Sequence, residues 1–201
     1  MMRGIPVVVG VVVAWLVIVT LPVRGAGQDL AQRPPIPIPF RLPRTIGAAE
    51  LIDSAFVDGA RRYMYQAPRT DNFDVYVWPL PDSVFGSPEE IRRHIAIQVS
   101  RYRETLPEGV LRNRYDDYRV AFDTTHPVTV NANMIDGHVV AAAISRGAVS
   151  YVSLFYIYAV GRMFVRIRLI VPAEDWDSNP VLDAPQALVR VLAYQVPEVR
   201  Q

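Results

Sequence analysis

The sequence contains no cysteine and no lysine. Without cysteine there are no disulfides, no thiolate chemistry, no cysteine-ligated zinc and no lipidated N-terminal cysteine. All 21 basic residues are arginine, so neither a Schiff-base lysine nor the phosphate-loop lysine of a nucleotide hydrolase is present. Charge of one sign is also lacking. With 21 basic against 20 acidic residues and a net charge of +1, there is no global field for nucleic acid or for an anionic membrane surface, and recognition by charge must be local. No G-x-S-x-G nucleophile elbow occurs. The three histidines, His94, His126 and His138, include no pair at metal-ligand spacing. No catalytic residue, metal or cofactor is therefore expected.

One long hydrophobic run is present. Ile5 to Val23 is almost unbroken and follows a single basic residue, Arg3. A basic start, an apolar core and the small-residue exit at Gly25-Ala26 have the order of a cleavable signal. The run also approaches the ~20 residues that span a bilayer, so a retained signal anchor is the alternative to the preferred cleaved signal. Either reading is an export address and places the rest of the chain in the periplasm or outside the cell, tethered by residues 5–23 if uncleaved. From Gly25 to Arg44 the chain turns to Gly, Gln and Pro, with five prolines between Pro34 and Pro43, which favours an extended spacer or an arm lying along the domain surface. The expected organisation is a leader over 1–25, a Pro-rich spacer over 26–47 and a single domain over 48–201. Roughly 170 residues follow the leader, enough for one core.

Within the domain, Ala60–Gln66 (ARRYMYQ) and Phe73–Leu80 (FDVYVWPL) are dense in aromatic and β-branched residues and flank a turn-forming segment, as in two strands. Glu50–Val57 suits a strand or a short helix, and a strand is preferred. Ser87-Pro88-Glu89-Glu90 marks a helix start: serine at the N-cap, proline at the first position, and glutamate placed to complete a capping box. Ile91, Ile95, Val99 and Tyr102 share one face, and Pro107-Glu108-Gly109 is the expected stop. Further strands are expected near 117–123, 127–134, 138–145, 151–158 and 162–171, with Asp136-Gly137, Arg146-Gly147 and Val160-Gly161 as hairpin turns. A closing helix is expected over about 181–195, with Asn179 as a candidate cap. The whole is an α+β sandwich in which an antiparallel sheet of five to seven strands packs with two helices.

Two passages, ARRYMYQ…FDVYVWPL before the first helix and SLFYIYAVGRMFVRIRLIVP before the last, together with the order of elements, resemble the PsbP-like fold. That family takes its name from an extrinsic photosystem protein and includes envelope proteins. The resemblance covers most of residues 48–197 and implies a fold, a compartment and an accessory role, and no chemistry.

Several acidic groupings invite a catalytic or metal reading. Glu174 to Asn179 opens like a calcium loop, but Pro180 stands where glycine is needed and Gln186 where a bidentate glutamate is needed. Asp116, Asp117 and Asp123 could pair as carboxylates of a cell-envelope hydrolase, or could be solvated strand ends. The more informative constellation is the last hairpin. With Val160-Gly161 at its turn, one face is wholly apolar apart from tyrosine hydroxyls. The other collects Tyr151, Phe155, Phe164, Arg166 and Arg168. A one-residue shift of the turn would exchange neighbours but keep Arg166 and Arg168 together. Such a face is either covered by the Pro-rich arm or a helix, with the arginines reaching solvent over aromatic rings. Or it is a recognition surface, since aromatic residues and arginine dominate binding hot spots. The expected function is that of an exported, non-catalytic binding or accessory module of the cell envelope, contacting a protein partner or an anionic ligand through Phe155, Phe164, Arg166, Arg168 and Tyr151. The carboxylate hydrolase is the alternative.

Overall fold

The computed structural model of the chain describes residues 41–196. The chain divides into two units, Met1–Gln32 and Arg33–Gln201. The first, with the apolar leader, lies outside the described residues, as do residues 33–40 of the Pro-rich segment. No helix among the described residues is long and apolar enough to cross a membrane.

The second unit is built on one antiparallel sheet. Its strands are β1 (Thr45–Ile46), β2 (Ala49–Val57), β3 (Ala60–Gln66), β4 (Asn72–Pro79), β5 (Asp117–Thr125), β8 (Gly137–Arg146), β9 (Val149–Val160) and β10 (Met163–Pro172). They lie in the order β1-β2-β3-β4-β10-β9-β8-β5. Helix α1 (Pro88–Leu111) packs on one face. Helix α2 (Ala184–Ala193) and a small hairpin of β6 (Val128–Val130) and β7 (Asn133–Ile135) pack on the other. The sheet has eight strands where five to seven were expected, because Thr45–Ile46 adds a short edge strand beside 49–57.

Each face buries its own core. Under α1 lie Ile95, Val99, Tyr102 and Leu106, against Val140, Phe155, Ile157 and Phe164. Under α2 lie Leu188, Val189, Leu192 and Val196, against Tyr158, Val165, Ile167 and Leu169, with Val128, Val130 and Ile135 of the hairpin. Because side chains alternate across a strand, β9 and β10 feed both cores, one residue to each in turn. This is why these two strands read as near-continuous apolar runs.

Six local expectations differ from the structure. Helix α1 starts as expected, with the Ser87 Oγ accepting from the Glu90 N–H at 3.3 Å. The return bond of the capping box is not made: the Ser87 N–H is taken by the Val84 carbonyl at 3.2 Å, and Glu90 faces Arg93 at 3.6 Å. The helix also continues through Pro107 to Leu111, where the Tyr115 hydroxyl donates to the Leu106 carbonyl at 2.6 Å. Segment 127–134 is a folded-over hairpin rather than one strand, and Asp136-Gly137 joins the two sheets instead of closing a hairpin. Asn179 does not cap α2. Its carbonyl oxygen accepts from the Val181 N–H at 3.1 Å and its amide donates to the Arg69 carbonyl at 2.8 Å, while Asp183 precedes the helix. Finally, Met163 pairs with Val160, so the β9–β10 turn is centred on Gly161-Arg162, one residue later than expected. Gly161 stands there at φ +56°, and a Cβ on it would lie 2.7 Å from Val196.

Candidate functional site

The shifted register leaves the two faces of the last hairpin unchanged. On the α1 side, β10 presents Phe164, Arg166, Arg168 and Ile170 in turn. Opposite them on β9 stand Ala159, Ile157, Phe155 and Ser153, and on β4 stand Trp78, Tyr76, Asp74 and Asn72. One strand further out, Arg62 of β3 is opposite Tyr76, and Met64 is opposite Asp74. Helix α1 lies over β5, β8 and β9. It therefore covers half of this face and leaves the β3–β4 half without a helix.

In the covered half, Phe155 stacks on Tyr102 with ring centres 4.5 Å apart, and the Tyr102 and Ser153 hydroxyls are bonded at 3.0 Å. Phe164 lies against Trp78 at 5.6 Å and His94 at 6.3 Å. Phe155 and Phe164 are only 4 % and 1 % exposed. Both belong to the core and cannot touch a partner directly, which corrects their assignment to a contact surface. The helix that removes them from water was visible in the sequence; the strands it would cover were not. Tyr151 is half-buried and pairs with Pro172 and Ile144. It lies four residues from Phe155, about 13 Å along the strand, and takes no part in the arginine cluster.

In the open half, charge and aromatic rings alternate. The Arg166 guanidinium lies over the Tyr76 ring at 4.1 Å and near Trp78 at 5.7 Å, and Arg62 approaches the same tyrosine at 5.9 Å. Stacking of this kind contributes roughly 0.5–2 kcal/mol. Asp74, 3 % exposed, is the acid of the cluster. It is held from two sides by Arg62, with Nε to Oδ1 at 2.9 Å and Nη2 to Oδ2 at 3.0 Å. Arg168 stands directly across from Asp74 in register, yet the carboxylate turns to Arg62. Neither Arg166 nor Arg168 forms an ion pair among the described residues. The Nε of Arg168 is buried and has no hydrogen-bond partner. Burial pushes the Arg166 guanidinium below its ordinary pKa; Tyr76, which also hydrogen-bonds it, and the Asp74 carboxylate oppose the shift, and the neighbouring charge of Arg168 adds to it. Three arginines share the one acid, Asp74, so the cluster carries net positive charge in a half-buried setting, an arrangement that an added anion would stabilise.

Arg62, Asp74, Tyr76 and Trp78 are the members of this cluster that sequence reasoning missed. Alternation in β4 already put Asp74, Tyr76 and Trp78 on one face. That β4 lies beside β10, some 90 residues later, is a matter of topology.

The other candidates are dispersed. Asp116 accepts from the Gly147 N–H at 2.6 Å and Asp117 from the Tyr118 N–H at 2.8 Å. Asp123 is at the far end of β5, about 20 Å from Asp117 at strand spacing, bonded to His138 at 2.6 Å and to Arg103. The three carboxylates share no cleft. Burial alone would raise the Asp123 pKa, but its bonds to His138 and Arg103 outweigh this and hold it below the usual carboxylate range. His126 bonds the Tyr158 hydroxyl through Nδ1 at 2.7 Å and the Gln186 amide nitrogen through Nε2 at 3.1 Å. An amide N–H donates, so Nε2 accepts and Nδ1 carries the proton. Asp175 pairs with Arg69 in the acidic turn. Among the described residues no group of three or more acids and histidines is placed to hold a metal.

No protein-family model and no curated protein matches the sequence. Among solved structures the chain is similar to the solution structure of cyanobacterial PsbP (CyanoP) from Synechocystis sp. PCC 6803. The identity is 11 % and the TM-score 0.42, over 74 % of this chain and 85 % of that one. The likeness is one of fold alone, and no residue role is taken from it.

Proposed function

We propose that the protein is a non-catalytic binding or accessory module of the cell envelope, reached through the export address at residues 5–23. Its contact surface is the part of the α1-side face that the helix leaves open: Arg62, Tyr76, Trp78, Arg166 and Arg168. The observation that carries the reading is the pair of half-buried arginines that form no ion pair among the described residues, one with an unpartnered Nε. Aromatic residues flank the pair, as in the residue mixture that dominates interface hot spots. The dispersed carboxylates favour this reading over the hydrolase.

The test is retention of a specific partner by the full chain, tagged and isolated from the envelope of its host, beside Arg166→Glu/Arg168→Glu. Reversing two charges at a contact of this kind is expected to weaken retention at least about tenfold, with the melting temperature of the variant showing that it is folded. Retention by both forms at equal strength would remove the arginine face from function.

A further inference from the structure

Arg166 and Arg168 stand at alternate positions of one strand and point to one side. Their spacing is therefore two strand repeats, about 6.6 Å. An extended peptide has the same repeat, so carboxylates at positions i and i+2 of such a segment match the backbone spacing of these two arginines. The aromatic rings of Tyr76 and Trp78 run alongside in register with Arg166 and Phe164, and Arg62 lies one strand further out, already engaged by Asp74. The surface is a floor rather than a cavity. The two best-formed hollows among the described residues lie elsewhere. One is lined in part by Arg44, Glu50 and Asp53, the other in part by Pro88, Met134 and Ala159, and both are shallow. A small anion is usually held in an enclosing pocket; an open floor with repeating charges suits a chain laid across it.

Resting on the reading that this face is a contact surface, we propose that its ligand is an extended acidic segment of a protein partner, with Asp or Glu at alternate positions facing Arg166 and Arg168. The guanidinium groups of Arg166 and Arg168 bind the carboxylates by charge-assisted N–H···O bonds. Asp74 sets a polarity on the floor. It pairs with Arg62, so the two arginines of β10 carry the cluster's net positive charge.

The experiment is a fluorescence-anisotropy titration of the full chain in mild detergent with labelled twelve-residue peptides of equal composition. One carries three glutamates at alternate positions and a second carries the same three at consecutive positions. Inorganic phosphate and citrate serve as competitors. The alternating peptide is expected to bind at least about tenfold more tightly than the consecutive one. It is expected to lose at least about tenfold in affinity for a folded Arg166→Glu/Arg168→Glu variant. An alternating lysine peptide should recover binding to that variant. Arg166→Gln/Arg168→Gln, which keeps much of the packing without charge, should bind neither peptide well. Equal binding of the two acidic peptides, binding that the variants leave unchanged, or displacement by phosphate at concentrations where the peptide itself half-saturates would overturn the proposal. If no acidic peptide binds while the charge-reversed chain still loses its envelope partner, the acidic segment is wrong and the contact surface stands.

Discussion

His126 shows how a single side chain can join three elements. It bonds Tyr158 of β9 and Gln186 of α2, and its backbone N–H donates to the Gly137 carbonyl at the start of β8. Burial pushes its pKa below the ordinary 6.5. Above that pH folded and unfolded chains both carry a neutral ring. Below it the unfolded chain takes the proton first, so stability is expected to fall as pH drops from 6.5 towards the folded value, and no further beyond it. Urea unfolding at a series of pH values would show this slope, and His126→Gln should flatten it. The depressed pKa of Asp123 acts in a separate window: its contribution is present above 3.8 and is lost only at lower pH, as the folded carboxyl protonates. Gly137 is under a different constraint. A Cβ there would lie 2.3 Å from the Tyr158 ring and 2.7 Å from the His126 carbonyl, so Gly137→Ala is expected to cost about 1–3 kcal/mol, measurable as a lowered melting temperature. The histidines were visible in the sequence as residues without a metal-ligand pattern. Their partners, Tyr158, Gln186 and Asp123, were not, because the nearest lies 15 positions away and the others 32 and 60.

At the scale of elements, local chemistry was the most legible. Ser87 and Pro88 mark the start of α1 because a helix N-terminus needs an acceptor for its free N–H groups and tolerates a residue without one. Ser87→Ala is expected to cost about 1 kcal/mol in thermal or urea unfolding. A change below about 0.3 kcal/mol would show that the 3.3 Å bond is replaced by water without loss. The end of the same helix was not legible. Pro107 reads as a stop because it cannot donate to the turn before it. Tertiary contacts carry the helix four residues further: Tyr115 bonds the Leu106 carbonyl and packs against Gly109, where a Cβ would meet the Tyr115 ring at 2.3 Å. The β9–β10 hairpin gives the converse lesson. Its turn slid by one residue, yet both faces kept their members, since side-chain parity along each strand is set by the burial pattern. The strong turn signal Asp58-Gly59, with both residues at positive φ between β2 and β3, was available in the sequence and would have identified the 49–57 strand directly.

At the scale of the whole molecule, the sheet separates two cores. Ile95 on α1 and Leu188 on α2 are each buried, in clusters that share no residue. Layers on opposite sides of a sheet lie roughly 20 Å apart, two layer spacings of about 10 Å each. Ile95→Ala and Leu188→Ala should each cost about 2–5 kcal/mol. The double variant should equal their sum within about 0.5 kcal/mol, a double-mutant cycle in denaturant being the measurement. Coupling well beyond that would mean that the sheet transmits strain between its faces. Composition and periodicity were enough for the α+β class, for the start of α1, for most strands, and for the presence of Arg166 and Arg168 on one face, because each of these depends on residues near one another in the chain. Only the tertiary structure decided which part of that face meets water. It buried Phe155 and Phe164 under α1, kept Asp116, Asp117 and Asp123 from sharing a cleft, and brought Arg62, Asp74, Tyr76 and Trp78 beside the arginines. Those outcomes follow from strand order and helix placement, which are set by how the whole apolar surface is buried at once.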